Sequence, residues 1–340
     1  MKHITWMLLA IVALWGCDNS LDITAPYEDT TVVFGLIDPT DSVNYLRVGK
    51  AFLGEGNALE YAQELDSLTY GDQIEVVMVE GSTGLRIPLE RVEDSNKPEG
   101  LFHAPGQVYY RTNHSFNEDS WYRLEVTKGD TAAIVSATTP IINNFAIDNP
   151  RVTSTVAMVN PNFPYSIKWR SAVDARVFEV SISVDYLEVS RTNPADSVLK
   201  SITWDLGSEV ARDTDGDQDL KIDLPFPSFF NFMRANVAVD DQVHRHFRGM
   251  SFLFAAAGEN FYTYRQVNGS GGFFQEPPLF TNVENGVGLL DSRYNKVVPN
   301  LDITDPMYDS LACGSITREL GFAKYDFDFA NNQIDTIYCY

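Results

Sequence analysis

The sequence predicts an all-β protein built from two β-sandwiches, with a short helix and a disulfide-stapled C-terminal tail. Short segments alternate apolar and polar residues at strand period and are separated by turn residues. The chain has 340 residues, of which 44% are hydrophobic and 21% are charged, so it can bury cores and is too long for one sandwich. We expect one sandwich over residues 30–140, a second over 141–257, and a helix and loop extension over 258–340.

Two hairpins are predicted in the first sandwich. Residues 31–37 and 44–48 alternate in polarity and flank an Asp-Pro-Thr-Asp turn. Residues 73–79 and 85–89 flank a Gly-Ser-Thr-Gly turn in the same way. Each pair is therefore expected to form two neighbouring antiparallel strands.

A further strand begins at Trp121 and places Tyr122, Leu124 and Val126 on one face. This Tyr-x-Leu-x-Val run is similar to the F strand of immunoglobulin-like sandwiches, in which the tyrosine fixes a corner. The first sandwich is therefore expected to be immunoglobulin-like.

The second sandwich is expected to follow a junction at residues 141–145. Residues 166–169 and 176–184 resemble the C and C′ strands of a fibronectin-III-like sandwich, with Trp169 in the core. Residues 248–254 have the pattern of a last strand, and 259–267 that of a short helix whose aromatic residues pack back.

The N-terminus has the pattern of a lipoprotein export signal. An apolar run over residues 4–15 follows Lys2 and is too short to span a bilayer. Leu14-Trp15-Gly16-Cys17 resembles the lipobox of bacterial lipoproteins, which implies that residues 1–16 are removed and that the Cys17 sulfur carries lipid such as palmitate. The alternative is an ordinary secretory signal that contains a cysteine. On the lipoprotein reading, residues 17–29 form a tether and the membrane is a partner through the lipid.

Export places the two remaining cysteines, Cys313 and Cys339, in an oxidising compartment, where a disulfide between them is predicted. Two free thiols or a metal pair are the alternatives. The formal net charge of −22 repels phosphate backbones, and we therefore expect no binding to nucleic acid.

The chain contains one candidate calcium segment. Asp213, Asp215, Asp217 and Asp219 place four carboxylates at period two, a donor set that suits weak calcium binding. Counting Gly216 as the sixth position of an EF-hand-type loop puts Ala211 first and Ile222 twelfth, so two ligands are missing. The alternative is an Asp-Gly hairpin turn between residues 202–206 and 220–224. No other cofactor is indicated.

Other candidate sites have equally plain structural alternatives. His244 and His246 have a spacing that metal sites use, but also suit a solvated loop. Trp121, Trp169 and Trp204 suit either a sugar-stacking platform or core positions. The sequence has no nucleophile elbow, metalloprotease helix or phosphate loop, and we predict no enzyme and no catalytic residues.

A loop bounded by glycine and proline carries Phe273, Phe274 and Phe280. Aromatic residues dominate the energetics of protein interfaces, so these three are candidate partner contacts. Packing of the loop onto the second sandwich is the alternative.

Several motifs in order resemble one lipoprotein family. They are the lipobox, Val33-Phe34-Gly35-Leu36-Ile37, Tyr122-x-Leu124-x-Val126, and the late run Asn282-Val283-Glu284-Asn285-Gly286-Val287-Gly288. Together they are similar to the family known as domain of unknown function 4249. The resemblance implies an outer-membrane lipoprotein that is accessory to a TonB-dependent receptor in uptake or assembly. Asp18 favours inner-membrane retention under one sorting code, whereas the resemblance favours the outer membrane.

Two other functions are compatible with the sequence. A carbohydrate-binding surface lipoprotein needs an exposed row of aromatic residues. A hydrolase on a β scaffold needs convergent acid and base residues.

Overall fold

The computed structural model describes residues 30–51, 57–71, 73–129, 134–193, 195–269, 280–328 and 333–339. These residues form an all-β protein with short helices. The strands are β1 (Thr30–Ile37), β2 (Asn44–Ala51), β3 (Ile74–Glu80), β4 (Arg86–Pro88), β5 (Glu90–Asp94), β6 (Gln107–Thr112), β7 (Trp121–Lys128), β8 (Val135–Pro140), β9 (Ile147–Asn149), β10 (Tyr165–Arg170), β11 (Val177–Ser190), β12 (Ser197–Val210), β13 (Asp219–Leu224), β14 (Val243–Ala257), β15 (Val283–Glu284), β16 (Gly286–Leu301), β17 (Ala323–Asp328) and β18 (Gln333–Tyr338). The helices are α1 (Ala58–Tyr61), α2 (Leu65–Leu68), α3 (Ser228–Asn236), α4 (Glu259–Gly269) and α5 (Asp305–Cys313), followed by a 3₁₀ turn at Arg318–Leu320.

One eight-stranded sheet runs through both predicted sandwiches. Its strand order is β12-β11-β14-β16-β1-β2-β6-β5. The long strand β16 pairs with β14 along one edge and runs parallel to β1 along the other. A five-stranded sheet, β15-β8-β7-β3-β4, and a three-stranded sheet, β13-β10-β9, complete the two sandwiches. The boundary expected near residue 140 is therefore crossed by the large sheet.

The first core lies between the β16-β1-β2-β6 part of the large sheet and the five-stranded sheet. Val33, Leu46 and Leu290 come from the former, and Met78 and Tyr122 from the latter. The alternating polarity of each strand produces this arrangement, since every second side chain faces the other sheet. As predicted, Tyr122, Leu124 and Val126 are all completely buried.

The tyrosine corner expected at Tyr122 is present. The backbone N–H of Asn117, five residues upstream, donates to the Tyr122 hydroxyl at 2.9 Å. The ring of Phe116 packs edge-on against the Tyr122 ring, with centroids 4.8 Å apart. This contact anchors the chain where it enters β7.

The second core lies between β11, β14 and β16 on one side and the three-stranded sheet on the other. Trp169 is completely buried there and packs edge-on against Phe254 at a centroid distance of 5.5 Å. Helices α3 and α5 close the core with Phe229, Met233 and other apolar side chains. The predicted core role of Trp169 is confirmed.

The predicted junction at residues 141–145 divides its side chains between the two cores. Ile141 belongs to the first core and its neighbour Ile142 to the second. The backbone N–H of Ile142 donates to the Ser292 hydroxyl of β16 at 3.2 Å. Both sandwiches are therefore tied to the same strand at this point.

Three local expectations are confirmed and one is wrong. Strands β1 and β2, and likewise β3 and β4, are antiparallel neighbours, and α4 covers the predicted helix. The hairpin expected between residues 202–206 and 220–224 does not form, because β12 pairs with β11 whereas β13 pairs with β10. The aspartate-rich segment instead carries the chain from one sheet to the other.

The extension over 258–340, predicted as helix and loops, contains the 16-residue strand β16 and the β17–β18 hairpin. Residues 248–254 lie in β14 and are thus not the last strand of the second sandwich. The alternating pattern of a strand is obscured in β16 because residues 288–292 are all buried. The predicted disulfide is confirmed, with the Cα atoms of Cys313 and Cys339 4.9 Å apart.

Candidate functional site

The late Asn-Val-Glu-Asn-Gly-Val-Gly run comprises β15, the connecting residue Asn285 and the start of β16. The Asn282 side chain bonds both backbone groups of Leu290: it donates to the carbonyl at 2.6 Å and accepts from the N–H at 3.0 Å. Asn285 adopts a left-handed backbone with φ of 56° and donates to the Ile134 carbonyl at 2.9 Å. In the described ranges, the side-chain amides of both asparagines therefore bond backbone groups that have no partner in a neighbouring strand, where the regular strand pairing stops.

The two glycines of this run permit the close approach of β1. A Cβ at Gly286 would lie 2.8 Å from the Thr31 carbonyl oxygen. A Cβ at Gly288, where φ is +124°, would lie 2.9 Å from the Val33 carbonyl carbon and nearer still to its oxygen. The run is thus accounted for by its structural role in joining β1 to β16.

A buried carboxylate, Asp291, lies where β16 changes partners. It accepts from the backbone N–H of Phe261 in α4 at 2.6 Å, from Ser292 N–H at 2.9 Å and from the Thr139 hydroxyl at 3.2 Å. Burial raises the pKa of Asp291 to about 6 from an ordinary 3.8, although these hydrogen bonds oppose the rise. The carboxylate fixes the start of α4 on β16. This structural role explains why a carboxylate is buried at this position.

Asp291→Asn tests the charge of this carboxyl. Because the folded-state pKa is raised, the carboxyl's contribution to stability is complete below about pH 4 and is lost as the pH rises through about 6. The wild type is therefore expected to lose about 2 to 3 kcal/mol relative to the Asn variant between pH 4 and pH 7. Urea unfolding of both proteins at several pH values measures the difference in free energy of unfolding. The same dependence of that free energy on pH in both proteins would contradict the raised pKa of Asp291.

The large sheet carries a groove of about 370 Å³ across β11, β12, β14 and β16. A row of directly paired residues crosses its floor: Asp205 pairs with Ser181, Ser181 with Leu253, and Leu253 with Val297. Val297 is 48% exposed. We call the row Asp205-Ser181-Leu253-Val297, with Glu179 and Ala255 beside it, the sheet groove.

The sheet groove combines an apolar floor with carboxylates. Glu179 at its end forms an ion pair with Arg265 of α4, and Asp205 is exposed. Leu253, Ala255 and Val297 supply the apolar surface. An arrangement of this kind suits contact with a protein or peptide surface that carries apolar and basic groups.

A second groove, of about 350 Å³, lies at the other part of the large sheet, over β1 and β2. Phe34, Arg47, Lys50 and Phe102 line it, and Phe34 and Phe102 are 40% and 43% exposed. Lys97 lies over the Phe102 ring, while Lys50 and Lys128 lie over the Tyr70 ring at 5.8 and 4.9 Å. We call these seven residues the basic aromatic patch.

The four aspartates of the candidate calcium segment do not converge. Arg170 forms ion pairs with Asp217 at 3.2 Å and with Asp219 at 3.1 Å. Asp213 accepts from the backbone N–H of Asp215 at 3.2 Å. In the part of the chain that the structure describes, no group of three or more His, Cys, Asp or Glu side chains is arranged to hold a metal ion. Asp217 and Asp219 thus balance Arg170 where the chain crosses from one sheet to the other.

The two histidines of the His-Arg-His run both contact Tyr338 of the C-terminal hairpin. The ring of His244 stacks on the Tyr338 ring at 3.9 Å, and His246 Nε2 lies 3.3 Å from the Tyr338 hydroxyl. Burial lowers the pKa of His246, helped by nearby Arg248. The two histidines therefore hold the C-terminal hairpin on β14 and do not lie in a solvated loop.

The three tryptophans do not form a row. Trp169 is buried, Trp204 stacks on Phe232 with ring centroids 5.1 Å apart, and Trp121 is 48% exposed beside Gly81. Of the candidate partner-contact residues, Phe280 is described and half-buried, whereas Phe273 and Phe274 lie outside the described residues, as does Cys17. Within the described ranges, no helix is long and apolar enough to cross a membrane.

Sequence reasoning missed both grooves. Their residues come from separate strands and are brought together only by long-range pairing, as Leu253 and Val297 are. One sequence feature could have indicated the second groove. Phe34 and Arg47 occupy outward positions of the predicted β1 and β2 strands, where they are paired on the face opposite the buried Val33 and Leu46.

No protein-family model matches the chain, and no curated protein was found to match it.

Proposed function

We propose that this protein is a lipid-anchored binding or scaffold protein of the outer membrane, accessory to a TonB-dependent receptor in uptake or assembly. The lipobox at Cys17 and the ordered motifs that resemble the domain of unknown function 4249 family support the location and the partner. The protein acts by binding rather than by catalysis.

The sheet groove is the observation that carries the binding role. Its floor joins four strands of one continuous sheet, so its shape is fixed by backbone pairing rather than by loops. Leu253 and Val297 offer apolar contact, and Asp205 offers a carboxylate at one end. Rigid, partly apolar surfaces of this kind lose little entropy on binding.

The test is co-purification from the native membrane in mild detergent. We expect Val297→Arg to reduce recovery of the receptor at least tenfold, because a bulky cation on the groove floor obstructs an apolar contact worth more than about 1.4 kcal/mol. Identification of the bound proteins by mass spectrometry, with quantification against the wild type, measures the change.

Val152→Arg is the matched control, since Val152 is 67% exposed and lies outside both grooves. It is expected to leave recovery unchanged. Equal recovery of a receptor with both variants would rule out the sheet groove as its binding surface, and absence of any receptor from the wild-type preparation would overturn the proposed partner. In a parallel arm, Cys17→Ala is expected to abolish labelling by a fatty acid, and persistent labelling would contradict lipidation at that residue.

A further inference from the structure

The chain enters the fold beside the basic aromatic patch. Thr30, where the described part of the chain begins, is paired with Ala51, and Ala51 lines the groove of the patch. The residues between Cys17 and Thr30 can extend no further than about 45 Å, at roughly 3.5 Å per residue. On the proposed lipid anchor, this end of the protein is therefore held near the bilayer.

The patch is an exception on a strongly acidic protein. The whole chain carries a net charge of −22, yet Arg47, Lys50, Lys97 and Lys128 surround three aromatic rings. Arg47 and Lys50 form no ion pair with any residue that the structure describes. Burial lowers the pKa of Lys97, and the positive charge of Arg47 lowers it further. Within the described ranges, like charges are thus held together without a carboxylate that pairs with Arg47 or Lys50.

We propose that the basic aromatic patch is a contact surface for an anionic phospholipid bilayer, which orients the anchored protein on its membrane. The cations complement lipid phosphates, and the exposed rings of Phe34 and Phe102 suit the boundary between headgroups and acyl chains. This proposal rests on the proposed lipid anchor.

The orientation leaves the sheet groove away from the membrane. Phe34 of the patch pairs with Leu289 of β16, whereas Val297 lies eight residues further along the same strand (297 − 289). At about 3.3 Å per residue, the strand carries Val297 roughly 26 Å from this part of the patch. A partner in the groove would therefore not compete with the bilayer.

The experiment uses the mature chain from residue 17 with Cys17→Ser, so that binding does not depend on lipid attached to the protein. Its binding to vesicles of phosphatidylglycerol and phosphatidylethanolamine is compared with binding to phosphatidylcholine vesicles by co-sedimentation. We expect binding to the anionic vesicles alone, with affinity that falls as salt rises. Arg47→Glu/Lys50→Glu is expected to weaken it by at least about 25-fold, because each of the two cations near an anionic surface contributes roughly fivefold.

Lys168→Glu/Arg212→Glu is the control, since it makes the same change in charge at exposed positions of the other sandwich. It is expected to keep most of the binding, and circular dichroism checks that both variants are folded. No binding of the unlipidated chain to anionic vesicles, or equal weakening by the two double variants, would overturn the patch proposal. Neither result bears on lipid attachment at Cys17 or on receptor co-purification, which the earlier experiments test separately.

Discussion

Gly288→Ala is expected to destabilise the protein by more than about 4 kcal/mol or to prevent folding. The added Cβ would lie within 3 Å of Val33 backbone atoms in the parallel strand, at a φ of +124° that L residues rarely adopt. Neither strand can move aside easily, because β1 is also paired with β2 and β16 with β14. Urea unfolding followed by tryptophan fluorescence measures the loss.

Gly84→Ala and Gly286→Ala provide a graded control series. Gly84 also has positive φ, +73°, but nothing lies within 4 Å of its added Cβ, so only backbone strain of about 1 kcal/mol is expected. Gly286 is intermediate, with Thr31 oxygen at 2.8 Å. A Gly288 variant no less stable than the Gly84 variant would show that β1 and β16 can separate without cost.

Elements with short-range partners could be predicted from the sequence. The β1–β2 and β3–β4 hairpins are closed by local turns, and the burial of Tyr122 and Trp169 follows from strand alternation and side-chain size. The disulfide could be predicted because only two cysteines remain beyond Cys17.

Long-range pairing could not be predicted in this way. Val33 and Gly288 are neighbours in the sheet although most of the chain separates them. The sequence pattern of each strand indicates that it is a strand but does not indicate which strand it pairs with. The wrong β12–β13 hairpin has the same cause, since an Asp-Gly turn resembles a hairpin whether the next strand returns to the same sheet or crosses to another.

For the candidate sites too, contacts between residues close in sequence could be predicted and long-range contacts could not. The aspartate run and the histidine pair were noticed because their residues are close in sequence, yet Arg170 and Tyr338, which contact them, come from distant strands. The sheet groove and the basic aromatic patch have no compact motif, because each strand contributes only one or two residues. Surfaces built by sheet register are therefore visible only after the pairing is known.

Arg245→Ala is expected to cost about 3 to 5 kcal/mol of stability. Arg245 is 1% exposed and donates to Glu188 through Nη2 at 2.8 Å and Nε at 2.9 Å, and to the Leu320 carbonyl through Nη1. Burial alone would raise the pKa of Glu188, but hydrogen bonds from Lys200 and Arg245 outweigh it and the pKa lies below its ordinary value. The variant leaves the Leu320 carbonyl without this donor and opens a cavity beneath the 3₁₀ turn.

Arg248→Ala is the control on the same strand, because Arg248 is exposed and its removal is expected to change stability by less than about 0.5 kcal/mol. Thermal and urea unfolding of both variants against the wild type separate the two cases. Arg245 also bonds the Leu320 carbonyl, three residues before the C-terminal hairpin begins at Ala323, and its loss is therefore expected to loosen that hairpin. Hydrogen exchange is expected to show faster exchange in residues 333–338 of the Arg245 variant alone, and equal protection in both variants would mean that the buried arginine does not support the tail.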